Sequence, residues 1–361
     1  MKKNHLKYME LVDWIKEQAQ EKKLLPGQKM YSENELSDMF HISRQTVRHA
    51  IGILEQEGFL TRKRGSGTYI SDKRQANLEN RTRICVVMTY VEGYIFPRTI
   101  KGIENVLFEN GYSVQIAFTN NQNSREKTIL EDIISRDDAA GVIMETTKSG
   151  LPNSNLYLYE ELKGRGIPVI FINSFYPPLS STFPHVSLND KEAGKKLAQY
   201  LMSMGHRDIG GVFKLDDGQG HMRYAGYMEA MQEAGIETDD TRIVWIDTQD
   251  MKNLQICRNK LIERLRGCTA VICYNDQVSF ELIDMLKKEG IRVPEDISII
   301  SVDDSELSVL GDVSITSLPH PMERLGEKAA NNLLKMIEFS SYDGSYEFDE
   351  EITIRDSVKR R

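Results

Sequence analysis

The sequence predicts an α/β chain in two parts: a small helical head ending in a β-hairpin, and a two-lobed body of parallel, doubly wound sheets. Three observations carry this. From residue 84 onward, apolar runs of strand length alternate with helical patterns of about 10–15 residues, which demands crossover helices over parallel strands. The first 70 residues lack that alternation and hold three short helical patterns, then two short apolar runs around a glycine pair. Charge divides the same way. Residues 1–80 carry 14 Lys/Arg against 11 Asp/Glu, and the other 281 carry 32 against 43. A basic head on an acidic body suits a head that meets a polyanion.

A length of 361 residues fits two or three domains, and 40% apolar residues can build real cores. Cys85, Cys257, Cys268 and Cys273 show no paired-ligand spacing, so neither a disulfide scaffold nor a metal site is expected. The opening "MKKNHLKYMELVDWIKEQAQ" carries charges throughout and has no apolar core of a signal peptide. No window reaches the roughly 18 apolar residues of a membrane span. A soluble cytoplasmic protein without a cofactor is the expectation.

In the head, Leu6, Met9, Leu11, Val12 and Ile15 mark a first amphipathic helix over 6–20, ended by Pro26-Gly27. Ser32 and Glu35 have capping-box spacing before a short helix over 33–40. Ser43 can cap a third helix, in which Val47, Ala50, Ile51 and Leu54 form the core stripe. Gln45, His49 and Gly52 then point away from the core, with Arg48 on the flank. Arginine bonds guanine bidentately and glutamine does so to adenine, so this face suits the major groove. Phe59-Leu60 and Thr68-Tyr69-Ile70 read as strands around the basic tip "RKRGSG". That tip precedes a strand, not a helix, so it is not a nucleotide-phosphate loop. The order of these parts predicts a winged helix-turn-helix.

The stretch "LLPGQKMYSENELSDMFHISRQTVRHAIGILEQEGFLTRKRGSGTYIS" resembles the DNA-binding domain of GntR-type bacterial regulators. One departure is Tyr31, where many relatives have proline. The resemblance implies operator DNA as a partner. The candidate DNA-contacting set is Ser32, Glu33, Ser43, Arg44, Gln45, Thr46, Arg48 and His49, with Arg64, Gly65, Ser66 and Gly67 in the wing.

The head is expected over 1–71 and a polar linker over 72–82. The body, 83–361, divides into lobes of about 83–183 plus 318–342, and 184–317 plus 343–361. Strands are read in "ICVVMTYV", "YSVQIAF", "GVIME", "PVIFIN", "IGGVF", "RIVWI", "TAVICY" and "ISIISV". Helices are read at 97–110, 124–136, 156–165, 189–204, 221–234, 250–266 and 275–289. Ligands of such sheets bind beyond the carboxyl ends of strands, so the residues there are the candidates. They are Tyr90, Tyr94 and Phe96, then Glu145, Lys148 and Phe175, then His221 and Arg223, and last Asn275 and Asp303. Carboxylates, amides and an arginine among aromatics suit a polyhydroxy ligand. Asn and Asp after strands are also ordinary turn and cap formers.

"VSLNDKEAGKKLAQYLMSMGHRDIG", "YNDQVSFELIDMLKKEGIRVPEDISIISVDDS" and "ITSLPHPMERLGEKAANNLL" resemble the effector domain of LacI-type repressors, similar to periplasmic sugar-binding proteins. Sugar-contacting positions map onto Arg223, Asn275 and Asp303. With "TYVEGYIFPRTIKGIE" and "KLDDGQGHMRYAGY" the combination resembles arabinose-responsive repressors. This implies a homodimer on operator DNA with a monosaccharide effector, L-arabinose. No hinge helix is evident after the head. Two alternatives stand beside it: a sugar-acid effector, with Lys148 as its partner, and an enzyme-derived body of the pyridoxal-phosphate type. The roughly 280-residue body is short for the latter, and neither a His/Asp/Glu cluster at metal spacing nor a Gly-x-Ser-x-Gly elbow points to another catalysis.

Overall fold

The computed structural model describes residues 7–20, 24, 27–56, 59–63, 66–70, 81–91, 94–339 and 342–361. The chain separates into two compact units, Met1–Arg81 and Thr82–Arg361. Of the expected linker, 72–80 lies outside the described residues. Among the described residues no helix is long and apolar enough to cross a membrane.

The head comprises α1 (Lys7–Gln20), α2 (Glu33–Phe40), α3 (Arg44–Gln56), β1 (Leu60–Lys63) and β2 (Gly67–Ile70). Its helix starts follow from local side chains. The Ser32 hydroxyl accepts the Glu35 N–H at 3.2 Å, and the Glu35 carboxylate accepts the Ser32 N–H at 2.7 Å. The Ser43 hydroxyl accepts the Thr46 N–H at 3.2 Å and so opens α3. Val47, Ala50, Ile51 and Leu54 are buried with Leu11, Val12 and Ile15 of α1 and Leu36 of α2. β1 and β2 pair antiparallel from Leu60↔Ile70 to Lys63↔Gly67. The hairpin is longer than expected, and it takes Arg62 and Lys63 from the tip into the first strand.

The body begins with β3 (Arg83–Met88), α4 (Phe96–Glu109), β4 (Ser113–Phe118), α5 (Asn123–Arg136), β5 (Ala139–Glu145), α6 (Leu156–Gly164), β6 (Val169–Ile172) and β7 (His185–Leu188). It continues with α7 (Asp190–Ser203), β8 (Ile209–Lys214), α8 (Gly218–Glu233), β9 (Ile243–Ile246), α9 (Thr248–Lys252), α10 (Arg258–Arg264), β10 (Ala270–Cys273) and α11 (Asp276–Lys288). The last elements are β11 (Ser298–Asp303), α12 (Leu307–Leu310), β12 (Thr316–Pro319), α13 (Met322–Glu338) and β13 (Tyr346–Phe348). The first sheet runs β4-β3-β5-β6-β7-β13 and the second β9-β8-β10-β11-β12, with every pair parallel. Both sheets reverse strand order after their first strand, which opens a crevice at the carboxyl edge.

Two expectations need correction. Residues 184–188 and 346–348 belong to the first sheet, because β7 pairs with β6 and β13 with β7. The chain therefore crosses between lobes at Asn189, after β12 and after Phe348. The Asn189 N–H donates to the Phe348 carbonyl at 2.8 Å, so two crossings lie side by side. The helix expected over 250–266 is broken into α9, a 3-10 turn at Leu254–Cys257, and α10. Asp247 starts it early by accepting the Gln249 and Asp250 N–H groups, and Asn253 leaves helical backbone at φ −156°.

In each lobe one helix pair crosses on glycines. A Cβ on Gly102 of α4 would meet the Glu323 carbonyl of α13 at 2.2 Å, and one on Gly326 would meet the Thr99 carbonyl at 2.2 Å. In the second lobe Gly194 of α7 faces the Arg223 carbonyl at 2.0 Å, and Gly226 of α8 faces the Lys191 carbonyl at 1.9 Å. The backbone contact brings the turn that carries Arg223 against the start of α7. Gly226→Ala should therefore cost about 1–3 kcal/mol through overpacking, read as a lowered calorimetric melting temperature of the body. An unchanged melting temperature would mean the helices separate freely and the contact fixes nothing.

Candidate functional site

On the head, Arg44 and Gln45 project from the first turn of α3 into solvent, beside the half-buried Thr46. The hydroxyls of Ser43 and Thr46 lie 2.8 Å apart. Glu33 gathers two arginines: Arg48 Nε donates to it at 2.7 Å and Arg62 at 3.1 Å. Ser32 is engaged in capping α2. His49 is exposed, but its ring packs edge-on against Tyr8 of α1 at 4.7 Å, so it also serves helix packing. In the wing, Lys63 lies 4.9 Å from the Tyr69 ring centroid, and Ser66 and Tyr69 hydroxyls are bonded at 2.5 Å. Gly67 has φ 124°, a backbone conformation that other residues rarely adopt, so this position favours glycine. Arg64 and Gly65 lie outside the described residues.

In the body, a cavity of about 580 Å³ lies at the carboxyl edges of the two sheets, a size usual for small-molecule sites. The backbone is unusual around it. Asn120, Asn121, Lys148, Asn173, Asp303 and Asp304, at or just past strand ends, and Tyr94, just before α4, have positive φ. Such conformations cost free energy and persist where surrounding structure fixes them.

Tyr90, Tyr94, Phe96, Glu145, Arg223, Asn275 and Asp303 line the cavity as the sequence suggests. Three candidates do not. The Lys148 backbone turns left-handed and its N–H donates to Asn121 Oδ1 at 2.8 Å. Phe175 stacks on His185 at 4.4 Å. His221 donates from Nε2 to the Leu215 carbonyl at 2.7 Å and lies edge-on to Trp245. Lining residues outside the expected set include Asn121, Asn173, Lys214, Asp217, Thr248 and Tyr274. Each stands at or close after a strand end, so the same rule finds them once the strand and helix limits are right.

Arg223 organises the second lobe's wall. It is 3% exposed. Its Nε donates to Asp190 at 2.8 Å and its Nη1 to the Tyr274 carbonyl at 2.5 Å. Its guanidinium carbon is 4.9 Å from the Tyr274 ring centroid. Nη2 stands 4.0 Å from Asp303 Oδ1, beyond hydrogen-bond length, so both groups keep bonding capacity. Burial opposes the charge on Arg223, but the Asp190 and Asp303 carboxylates outweigh it and raise its pKa. Burial pushes Asp190 up to about 6 against the pull of Arg223. Asp303 also accepts the Tyr94 hydroxyl at 2.5 Å and the Asn275 amide.

The first lobe's wall is built on Glu145. It accepts the Thr89 N–H at 2.7 Å, the Thr89 hydroxyl at 2.5 Å and the Asn173 amide at 2.7 Å. Lys214, 4% exposed, pairs with Asp217 at 2.5 Å and Asp216 at 3.5 Å. Both buried cations of the cavity are thus already matched by carboxylates.

A winged helix-turn-helix and a two-lobed receptor with a polar cleft define a class: a DNA-binding regulator that senses a small molecule. Comparisons with known proteins place the chain within it. Residues 7–70 match the gntR family of bacterial regulatory proteins, and 198–358 match the periplasmic binding protein-like domain. The arabinose metabolism transcriptional repressor of Halalkalibacterium halodurans is 37% identical over 353 residues, 96% of this chain and 93% of the relative. That of Geobacillus stearothermophilus is 36% identical over 358 residues, 98% of each chain. The crystal structure of the transcription regulator CcpA of Lactococcus lactis shares the fold at 23% identity, with a TM-score of 0.68, over 77% of this chain and 99% of that one. A LacI family regulator from Enterococcus faecium with bound ribose does so at 22% and 0.66, with the same coverage. The chain belongs to the family of the arabinose metabolism transcriptional repressors, and in it a GntR-type head is joined to a periplasmic-binding-protein-like body.

His320 lies between β12 and α13, 5% exposed, and neither ring nitrogen is hydrogen-bonded to a described residue. Burial, with the Arg223 charge nearby, lowers its pKa to about 3. Below pH 6.5 the unfolded chain takes up a proton at this residue that the folded chain refuses, so the contribution of His320 to stability falls as pH drops from 6.5 toward 3. Each pH unit in that range should cost about 1.4 kcal/mol. His320→Gln removes this slope. Urea unfolding at pH 7.5 and 5 should show the variant gaining on wild type by roughly 2 kcal/mol; an equal pH response in both would contradict a neutral buried histidine.

Proposed function

We propose that the chain represses transcription by holding an operator with α3 and the β1–β2 wing, and that a neutral monosaccharide, L-arabinose, releases it by filling the cleft between the lobes. The observation that carries the ligand class is the charge balance of the cavity. Arg223 and Lys214 are spent on Asp190, Asp216 and Asp217, while Asp303 and Glu145 add further acceptors. Sugar hydroxyls donate to such carboxylates, and aromatic rings such as Tyr90, Phe96 and Tyr274 can cover the apolar face of a pyranose. A sugar acid would bring another negative charge with no buried cation left over to receive it. The arabinose metabolism of the two full-length relatives supports L-arabinose among neutral sugars.

On DNA, the exposed Arg44 and Gln45 are the base readers of this reading. Arg48 and Arg62, oriented by Glu33, serve base edges or phosphates. One α3 reads few base pairs, so a homodimer on a two-fold site, with half-sites about one helical turn apart, fits the head.

Calorimetry with L-arabinose, D-xylose, D-galactose and D-galacturonate tests the ligand. L-Arabinose should bind the wild type tightest and galacturonate not measurably. Arg223→Lys keeps the charge but loses the planar fork, and should weaken L-arabinose roughly ten- to hundredfold, the range of a hydrogen bond to a charged group. Silence toward every neutral sugar, or an Arg223→Lys isotherm equal to wild type, would overturn the assignment.

A further inference from the structure

We propose that Asn121 is the latch between the lobes: a positioning residue that holds the cleft shut through one directional chain of hydrogen bonds. The inference rests on the reading that the cavity takes its effector by lobe closure. Asn121 follows β4 in the first lobe and is 2% exposed. Its backbone is left-handed at φ 53°, directly after Asn120 at φ 50°. Both ends of its amide are used. Oδ1 accepts the Lys148 N–H of its own lobe at 2.8 Å, which fixes which way the amide faces. Nδ2 then points across the cleft, donating to Thr248 Oγ1 of the second lobe at 2.7 Å and lying 3.5 Å from Asp217 Oδ1.

The polarity of this chain is set at its far end. The Thr248 hydroxyl donates to Asp216 Oδ2 at 2.7 Å, so its proton is committed and it can only accept from Asn121. The order runs from Lys148 N–H to Asn121, from Asn121 to Thr248, and from Thr248 to the Asp216 carboxylate. A side chain at 121 must therefore accept on one side and donate on the other. Two further contacts close the same seam: the Gly150 N–H donates to the Asp216 carbonyl at 3.2 Å, and the Gly218 N–H to the Ser149 hydroxyl at 2.9 Å. Those two amides face partners in the opposite lobe, so their exchange with solvent reports closure directly, with or without sugar.

Asn121→Asp isolates the latch. It keeps size, tolerance of left-handed backbone and the acceptor for Lys148, and turns the cross-cleft donor into an acceptor that carries a negative charge at pH 8. That acceptor faces the Thr248 oxygen, Asp217 and, behind Thr248, Asp216; Lys214 pairs with both aspartates. In the full chain at pH 8, hydrogen–deuterium exchange at Gly150 and Gly218 should be about tenfold faster than in wild type, the loss of roughly one hydrogen bond. L-Arabinose affinity should fall by a similar factor. At pH 5.5, measured against wild type at the same pH and after correction for intrinsic exchange, protection should return, because a carboxyl buried beside Asp217 and Asp216 holds its proton there and donates again. Thr248→Val removes the acceptor instead, and should loosen the same amides with no recovery at low pH. Wild-type protection in Asn121→Asp at pH 8, or loosening that ignores pH, overturns the latch. If both variants behave as stated but wild type ignores L-arabinose, the latch stands and the effector assignment falls.

Discussion

A guanidinium taken out of water is costly unless charge and hydrogen bonds meet it where it stands. Arg223 is such a group, and the body is arranged around satisfying it. It reaches Asp190 at the start of α7, the Tyr274 carbonyl at the end of β10 and Asp303 at the end of β11. Those contacts tie the second lobe's strand ends to two helices. Asp303 then accepts Tyr94 from the first lobe, so the compensation of one buried charge extends across the cleft. Close glycine crossings of α7 and α8 are what bring the charge and its partners together. The left-handed Asp303 is held by the same network, and its left-handed neighbour Asp304 by Arg355 at 2.5 Å.

This explains why the cavity is rich in acceptors while its two buried cations are already paired; the other lining cation, Lys252, is exposed. Of the carboxylates recruited to neutralise Arg223 and Lys214, Asp303 and Asp217 line the wall with lone pairs to spare. A ligand that supplies hydroxyl donors completes their coordination, whereas an anion would compete with them. Because the partners come from both lobes, a ligand that bonds both favours the closed arrangement, and its differential affinity sets the size of the shift.

Much of the head was legible in the sequence because its structure is decided locally. The Ser32/Glu35 box, the Ser43 cap and the four-residue stripe of α3 each act within a few residues. In the body, Glu145, Asn275 and Asp303 stood out because they directly end long apolar runs. Lys214 and Thr248 did not: one follows the short run "IGGVF", diluted by two glycines, and the other was hidden by a helix start placed two residues late. Asn121 is a turn residue by sequence, and only the approach of the second lobe gives it a partner. β7 and β13 carry polar residues within runs of only four and three, which hides them as buried strands, and so the lobe boundaries moved.

The central claim is that one chain couples a DNA-reading head to a sugar-filled cleft. Linkage makes this measurable, since a sugar that weakens operator binding by some factor must itself bind the operator complex more weakly by the same factor. Fluorescence anisotropy of labelled operator against L-arabinose gives one side of the cycle, and calorimetry of L-arabinose into free and operator-bound protein gives the other. The account predicts equal factors, in the range of roughly 5–150 usual for such coupling, with the operator complex binding sugar more weakly. Operator affinity that does not change at saturating L-arabinose, with the sugar demonstrably bound, would contradict it.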